Sequence, residues 1–214
     1  MDARLGAIEQ LIRSSVHVDI GSNDARLLVS LLHSKRIERG IAIENKQRPF
    51  ENSQNALANL NADVRFGDGL SVLKSFEAQS LSISGMGAEK MVGILDAAPD
   101  RIPNDIVLQP NGRPELVRRW ALRSRFKIVD EQIVYNDRIY TIMAFRACSD
   151  CKNDPAYAGV EREAALLFGP LLLGRHDVNL ARQLREEENY WSKLSCLAPE
   201  KRKRLSIIKK LRKG

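Results

Sequence analysis

The chain has 214 residues, 43% of them hydrophobic, and a formal net charge of +7. That length and apolar content give one α/β domain with a small appendage, no run approaches the roughly 18 apolar residues of a membrane span, and MDARLGAIEQLIR lacks a signal peptide's apolar core, so a cytoplasmic protein with no membrane partner is expected. Residues 200–214 hold eight Lys/Arg and one Glu, which leaves residues 1–199 formally neutral and excludes a body that binds polyanions in general.

Residues 3–13 read as a helix, with Leu5, Ile8 and Ile12 at helical spacing. A strand–helix alternation follows: strand Val16–Ile20, helix Asp24–His33, strand Gly40–Glu44, helix Pro49–Leu60, strand Asp63–Phe66. After the turn Gly67-Asp68-Gly69, a short helix is expected to reach Phe76. Strand Leu81–Ser84, helix Glu89–Ala97, strand Ile106–Gln109 and helix Pro114–Leu122 continue the pattern. Phe126–Tyr135 and Arg138–Arg146 close it as a hairpin, with only Asn136-Asp137 between them. Short connections imply a parallel sheet with helices on both faces, and the final hairpin adds one antiparallel strand.

Beyond about residue 150 the pattern changes. Cys148–Tyr157 is a polar connector, and Gly169-Pro170 interrupts the apolar stretch Val160–Leu173. Leu180, Leu184, Trp191 and Leu194 form one face of a long helix with Arg185–Glu188 turned to solvent, Ala198-Pro199 breaks it, and Leu205, Ile208 and Leu211 resume the spacing among lysines and arginines. The expected domains are therefore 1–150, an α/β domain, and 151–214, a small coiled-coil-like helical hairpin with a basic tail. Cys148 and Cys151 form a C-x-x-C, but no second ligand pair accompanies them, so free thiols and no metal are expected.

The candidate chemistry lies where strands end. Gly21 permits a sharp exit from the first strand, and Ser22 leads to a helix N-terminus. The run G-S-N-D-A-R is not the G-x-G-x-x-G of a dinucleotide fold, which argues against a pyrophosphate cradle. Glu44 ends the second strand, where an acid accepts from ribose hydroxyls, and Asp68 ends the third, where a carboxylate accepts from an exocyclic amine. Ser84-Gly85-Met86-Gly87 and Gln109-Pro110-Asn111 end the fourth and fifth. Five such ends on one rim favour a cleft over unrelated turns. A neutral body with Asp19 and further acids on the rim suits a cationic cofactor lacking phosphate, such as S-adenosyl-L-methionine (SAM).

The series V-D-I-G-S, G-I-A-I-E, G-D-G-L, S-G-M-G and L-Q-P-N, in this order over roughly residues 4–196, resembles the bacterial tRNA (adenine(22)-N(1))-methyltransferase family, the TrmK type. D-I-G-S and G-D-G are general to Rossmann-like methyltransferases; S-G-M-G with L-Q-P-N is more specific. The resemblance implies a class I methyltransferase fold of seven strands with the last antiparallel, a helical C-terminal domain that grips tRNA, and methyl transfer from SAM to N1 of an adenine. It implies cofactor contacts from Asp19, Gly21, Ser22, Glu44, Asn45, Asp68, Gly69, Ser84, Gly85, Met86 and Gly87, and places Gln109, Pro110 and Asn111 near the target base.

One segment departs from the family. D-I-G-S-D-H-A-Y-L-P becomes D-I-G-S-N-D-A-R-L-L, so Asn23 replaces the acid implied as catalytic and Asp24 stands at the histidine position. The tail is also shorter than in typical members. Asn23, Asp24 and Asn111 are the catalytic candidates, as acceptors at the adenine N6. Three outcomes stay open: Asp24 has taken over, activity is reduced, or the substrate is another RNA or a small molecule. A non-catalytic SAM- or RNA-binding homologue is the reading from a different class.

Overall fold

Seven strands form one sheet in the order β3-β2-β1-β4-β5-β7-β6. They are β1 (Ser14–Ile20), β2 (Ile37–Glu44), β3 (Ala62–Phe66), β4 (Ser80–Met86), β5 (Asp105–Pro110), β6 (Phe126–Tyr135) and β7 (Ile139–Ala147). The computed structural model describes residues 2–149 and 154–212. β1 to β5 pair in parallel, and β7 runs antiparallel to both β5 and β6.

Helices cover both faces of the sheet, so its central strands are buried; β1 and β4 are apolar on one face and carry the buried polar residues His17, Asp19, Ser80 and Ser82 on the other. Val18, Ile41, Leu81, Ile83 and Leu108 are all buried. α1 (Ala3–Gln10) and α2 (Arg26–His33) contribute Ile8, Leu28 and Leu31 to one core cluster. α3 (Gln47–Leu57), α4 (Ala88–Ala97) and α5 (Pro114–Arg123) supply the other connections. α5 is tied to β6 by a fully buried ion pair, Arg118 Nε to Glu131 Oε1 at 2.7 Å.

Three local features differ from the sequence expectation. The helix expected to reach Phe76 is only a 3-10 turn, Gly69–Val72, because the backbone enters it through a left-handed Gly69 and leaves it extended at Leu73. β4 runs past Ser84 through Gly85 to Met86, with a bulge between Ser84 and Met86. The hairpin loop contains Arg138 as well, closed by the Asn136 N–H donating to the Arg138 carbonyl.

The chain divides into two compact units between Asp154 and Pro155. The second contains α6 (Arg162–Phe168), α7 (Pro170–Gly174), α8 (Val178–Trp191) and α9 (Pro199–Leu211). Gly169, at φ 104°, separates α6 from α7. α8 stops at Trp191 rather than running to Pro199, and Pro199 opens α9, a position where its missing N–H costs nothing. α9 buries Leu205, Ile207 and Ile208. Within this unit Arg204 is bidentate to Glu187 at 2.8 and 3.0 Å, and Arg212 pairs with Glu188, so those two acids are half-buried rather than turned to solvent. Cys148, expected as a free thiol, is disulfide-bonded; Cys151 lies outside the described residues. Cys196 is free and exposed.

Candidate active site

The strand order reverses between β1 and β4, and the carboxyl ends of the parallel strands open there into a crevice. Gly21, Glu44, Asn45, Asp68, Gly69 and Met86 line one continuous cleft. Two glycines make it. Gly21 has φ 75°, and a Cβ there would lie 3.1 Å from Met86 Cε. Gly69 has φ 55°, and a Cβ there would come within 2.8 Å of Ile94 Cγ2, so only glycine lets this turn press against α4.

The acids of the rim are set by neighbours. Glu44 is buried at the end of β2 and accepts from the Asn23 N–H. Burial pushes its carboxyl above the usual range, opposed by that N–H and helped by the negative charge of Asp19. Asp19 is buried behind the cleft lining and accepts from Ser82 Oγ at 2.6 Å. Burial raises this carboxyl as well, and the Ser82 hydrogen bond opposes the rise. The buried Ser22 hydroxyl lies near the same carboxylate without completing a hydrogen bond. Asp68 is exposed and receives Asn45 Nδ2 at 3.2 Å.

The bulge in β4 has a consequence for the cleft: with Gly85 at φ 75°, Met86 shifts in register against Pro110 and its side chain reaches the wall beside Gly21. Ser84, Gly85 and Gly87 flank this cleft without lining it. The β5 end is stitched to the bulge, since Asn111 N–H donates to the Met86 carbonyl at 2.8 Å and Asn111 Nδ2 to the Gly85 carbonyl at 2.6 Å. Gln109 is fully buried, with Nε2 on the Pro110 carbonyl at 2.9 Å. Asn111 Oδ1 receives Arg138 Nη2 at 3.0 Å. Asn23 adopts a left-handed backbone at φ 59°, which asparagine tolerates well. Asp24 is paired with Arg26 at 2.6 Å.

Sequence reasoning missed four contributors. Arg4 of α1 donates from Nη1 to Gln109 Oε1 at 2.9 Å and sits over the Tyr140 ring, as Arg138 does from β7's entry. A partner 105 positions away leaves no local signal. Lys90 and Ile94 of α4 line the cleft one and two turns after Gly87, spacing that points them toward the rim once the helix start is known. Among the described residues no cluster of acids, cysteines and histidines has the arrangement of a metal site.

This arrangement suits a cationic nucleoside. Gly21 and Gly69 share the cleft with two carboxylates, Glu44 and Asp68, a third carboxylate, Asp19, is buried on the same strand ends, and the Ser22 hydroxyl has hydrogen-bonding capacity to spare. The Streptococcus pneumoniae protein Sp1610, solved in complex with SAM, shares the fold, with TM-score 0.82, 22% identity and 97% of both chains covered. The crystal structure of the Bacillus subtilis m1A22 tRNA methyltransferase TrmK superimposes at TM-score 0.81 and 26% identity over 100% of this chain and 97% of that one. The tRNA (adenine(22)-N(1))-methyltransferase of B. subtilis strain 168 is 31% identical over 180 residues, 80% of this chain and 74% of the relative. The sequence profile described as TrmK, tRNA (adenine(22)-N(1))-methyltransferase, matches residues 17–212, and the chain belongs to that family.

Proposed function

We propose that this protein transfers a methyl group from SAM to N1 of adenine 22 in tRNA. The observation that carries this reading is the cleft at the β1–β4 reversal, where Gly21, Glu44, Asp68, Gly69 and Met86 meet in a chain of the TrmK family.

The cofactor supplies an electrophilic methyl group on a sulfonium sulfur. Adenine N1 already presents a lone pair, so a new N–C bond forms as the C–S bond breaks, with no prior deprotonation. The product is cationic until an N6 proton leaves. The protein's task is therefore alignment at the methyl group and a proton acceptor at N6. In this reading Glu44 takes the ribose hydroxyls, Asp68 the adenine amine of the cofactor, and Met86 sets the wall beside the methyl group. Asp24 is the acceptor for the target N6. It carries a carboxylate, whereas Asn23 and Asn111 offer only amides, and its ion pair with Arg26 is solvent-exposed and cheap to open.

The RNA grip is assigned to α9. Lys203, Arg204 and Arg212 have acidic partners in Glu163, Glu187 and Glu188. Lys201, Arg202, Lys209 and Lys210 are exposed, and they are the residues we assign to phosphate contacts.

The test is incubation with methyl-labelled SAM and bulk bacterial tRNA, followed by nucleoside mapping. Label in 1-methyladenosine at position 22 is expected. Label in another nucleoside moves the substrate elsewhere, and SAM binding with no transfer to any RNA overturns the enzymatic reading. That alternative has one observation in its favour: Asn23 stands where the family resemblance expects an acid, and Asp24 beside it is tied up with Arg26.

A further inference from the structure

Beneath the cleft a run of buried polar side chains crosses between β1 and β4. Ser14 Oγ lies 2.6 Å from Ser80 Oγ, which lies 2.6 Å from His17 Nδ1. His17 Nε2 lies 2.9 Å from Ser82 Oγ, and Ser82 Oγ donates to Asp19 Oδ1 at 2.6 Å. His17 and Ser82 are fully buried, and Ser80 and Asp19 nearly so. The parallel register explains the alignment. His17 stands opposite Ser80 and Asp19 opposite Ser82, so alternate residues of the two strands meet on one face.

The chemistry of each group gives this run a direction. An ionised Asp19 only accepts, so the single Ser82 proton is committed to it. The Ser82 oxygen then accepts from His17, which requires the proton on Nε2. A neutral imidazole has one N–H, so Nδ1 must accept from Ser80. Burial holds His17 down to about 3, so the ring is neutral at physiological pH. The charged groups facing Asp19 are Arg4 from α1, which favours its ionised form, and Glu44 from β2, which opposes it.

We infer that His17 is a positioning residue for the cofactor: acting through Ser82, it holds the Asp19 carboxylate charged and in a single orientation for a cationic ligand. This rests on reading the cleft as the SAM site. A histidine that merely fills the core would satisfy its own nitrogens, with no effect on what Asp19 does.

The experiment is calorimetric SAM titration of the full-length protein between pH 6 and 9, with steady-state kinetics. His17→Met and Ser82→Ala should raise the SAM Kd about tenfold, with kcat at saturating SAM within about twofold of wild type. The pH at half-maximal binding should move upward in both, because Ser82→Ala removes the donor that favours the charged form of Asp19 and His17→Met leaves that donor without the N–H that orients it. His17→Gln returns an N–H to Ser82 and should restore both Kd and pH profile. Variants that bind SAM like wild type at every pH while melting at lower temperature overturn the inference. Should the variants fail to fold, 15N NMR of wild-type His17 decides. A proton on Nε2 with Nδ1 bare is expected. A proton on Nδ1 would make Ser82 donate to the ring instead of Asp19, and it overturns the wiring. Absence of SAM binding by wild type overturns the cofactor reading itself, which is a different result from wild-type binding that no variant alters.

Discussion

On the proposed cofactor half of the rim, Asp19 and Glu44 are buried, and each accepts from a fixed donor, Ser82 Oγ and the Asn23 N–H. On the target half, Asp24 and Asn111 lie nearer the surface, and each is held by an arginine, Arg26 or Arg138. Buried acceptors with short, fixed partners are placed before any ligand arrives, and salt screens them little. Exposed arginine contacts are worth about 0–1 kcal/mol and rearrange cheaply. On the proposed assignment, one half holds a single ligand in a single pose, and the other adjusts as a base is brought in.

The strongest way to break this contrast is at Glu44. Glu44→Ala removes a buried charged acceptor, and the SAM Kd should rise about 100-fold, from a lost charge-assisted hydrogen-bond pair of about 1.5–3 kcal/mol. A change below about threefold, by calorimetry, would put the ribose elsewhere. The pH dependence has a definite sign. Burial raises the carboxyls of Asp19 and Glu44, so a cation binds more tightly as pH rises through those raised values and weakens as pH falls through them. The ligand-free fold responds oppositely: groups with raised values lose their contribution to stability as pH rises through the same window, and bound cofactor should restore it.

Gly69→Ala comes next. It forces a side chain into a left-handed backbone with a carbon 2.8 Å from Ile94, which should cost about 1–3 kcal/mol of stability. Thermal unfolding with and without SAM would measure it. A neutral result means that α4 yields easily, and the cleft wall is softer than its packing implies.

Basic α9 gives the third test. Truncation after Pro199 would strip Leu205, Ile207 and Ile208 from their own core, so charge removal is the cleaner probe. Replacing Lys201, Arg202, Lys209 and Lys210 by Gln should weaken tRNA binding about tenfold or more. It should also lower the slope of log affinity against log salt by about 3, while leaving SAM binding intact. An unchanged slope would remove α9 from the interface.

The rim was legible in sequence because strand ends there are marked by residues that resist other roles: glycines at positive φ, and acids closing apolar strands. The β1–β4 alternation was legible because fully buried strands read as short apolar runs between turn residues. Three things were not legible. The bulge that carries β4 through Gly85 to Met86 depends on pairing with β5, a register no local window contains. In the basic tail the spacing marked Leu205 and Ile208, both buried, but not Ile207, nor the ion pairs of Arg204 and Arg212 with Glu187 and Glu188 on another helix. The role of His17 has no local signal, since its partners Ser80 and Ser82 lie more than 60 positions away and meet it only through strand pairing.

The smallest expected effect bears on the half of the site that the family resemblance does not settle. Asp24→Ala should lower kcat about fivefold and leave the SAM Kd unchanged, because N1 needs no base and only the N6 proton seeks an acceptor. Asn23→Asp restores the acid at the family's position, and aspartate tolerates the left-handed backbone as asparagine does. If the acceptor site tolerates either residue, Asn23→Asp should rescue kcat in the Asp24→Ala background. The new carboxylate would stand on the residue whose N–H already binds Glu44, so its like charge should also push the Glu44 carboxyl further up and weaken SAM at low pH. Rescue of kcat with weaker cofactor binding below neutral pH would show the two halves of the rim in contact through Asn23. No change in rate from either substitution would leave alignment as the source of catalysis and remove Asp24 from the chemistry.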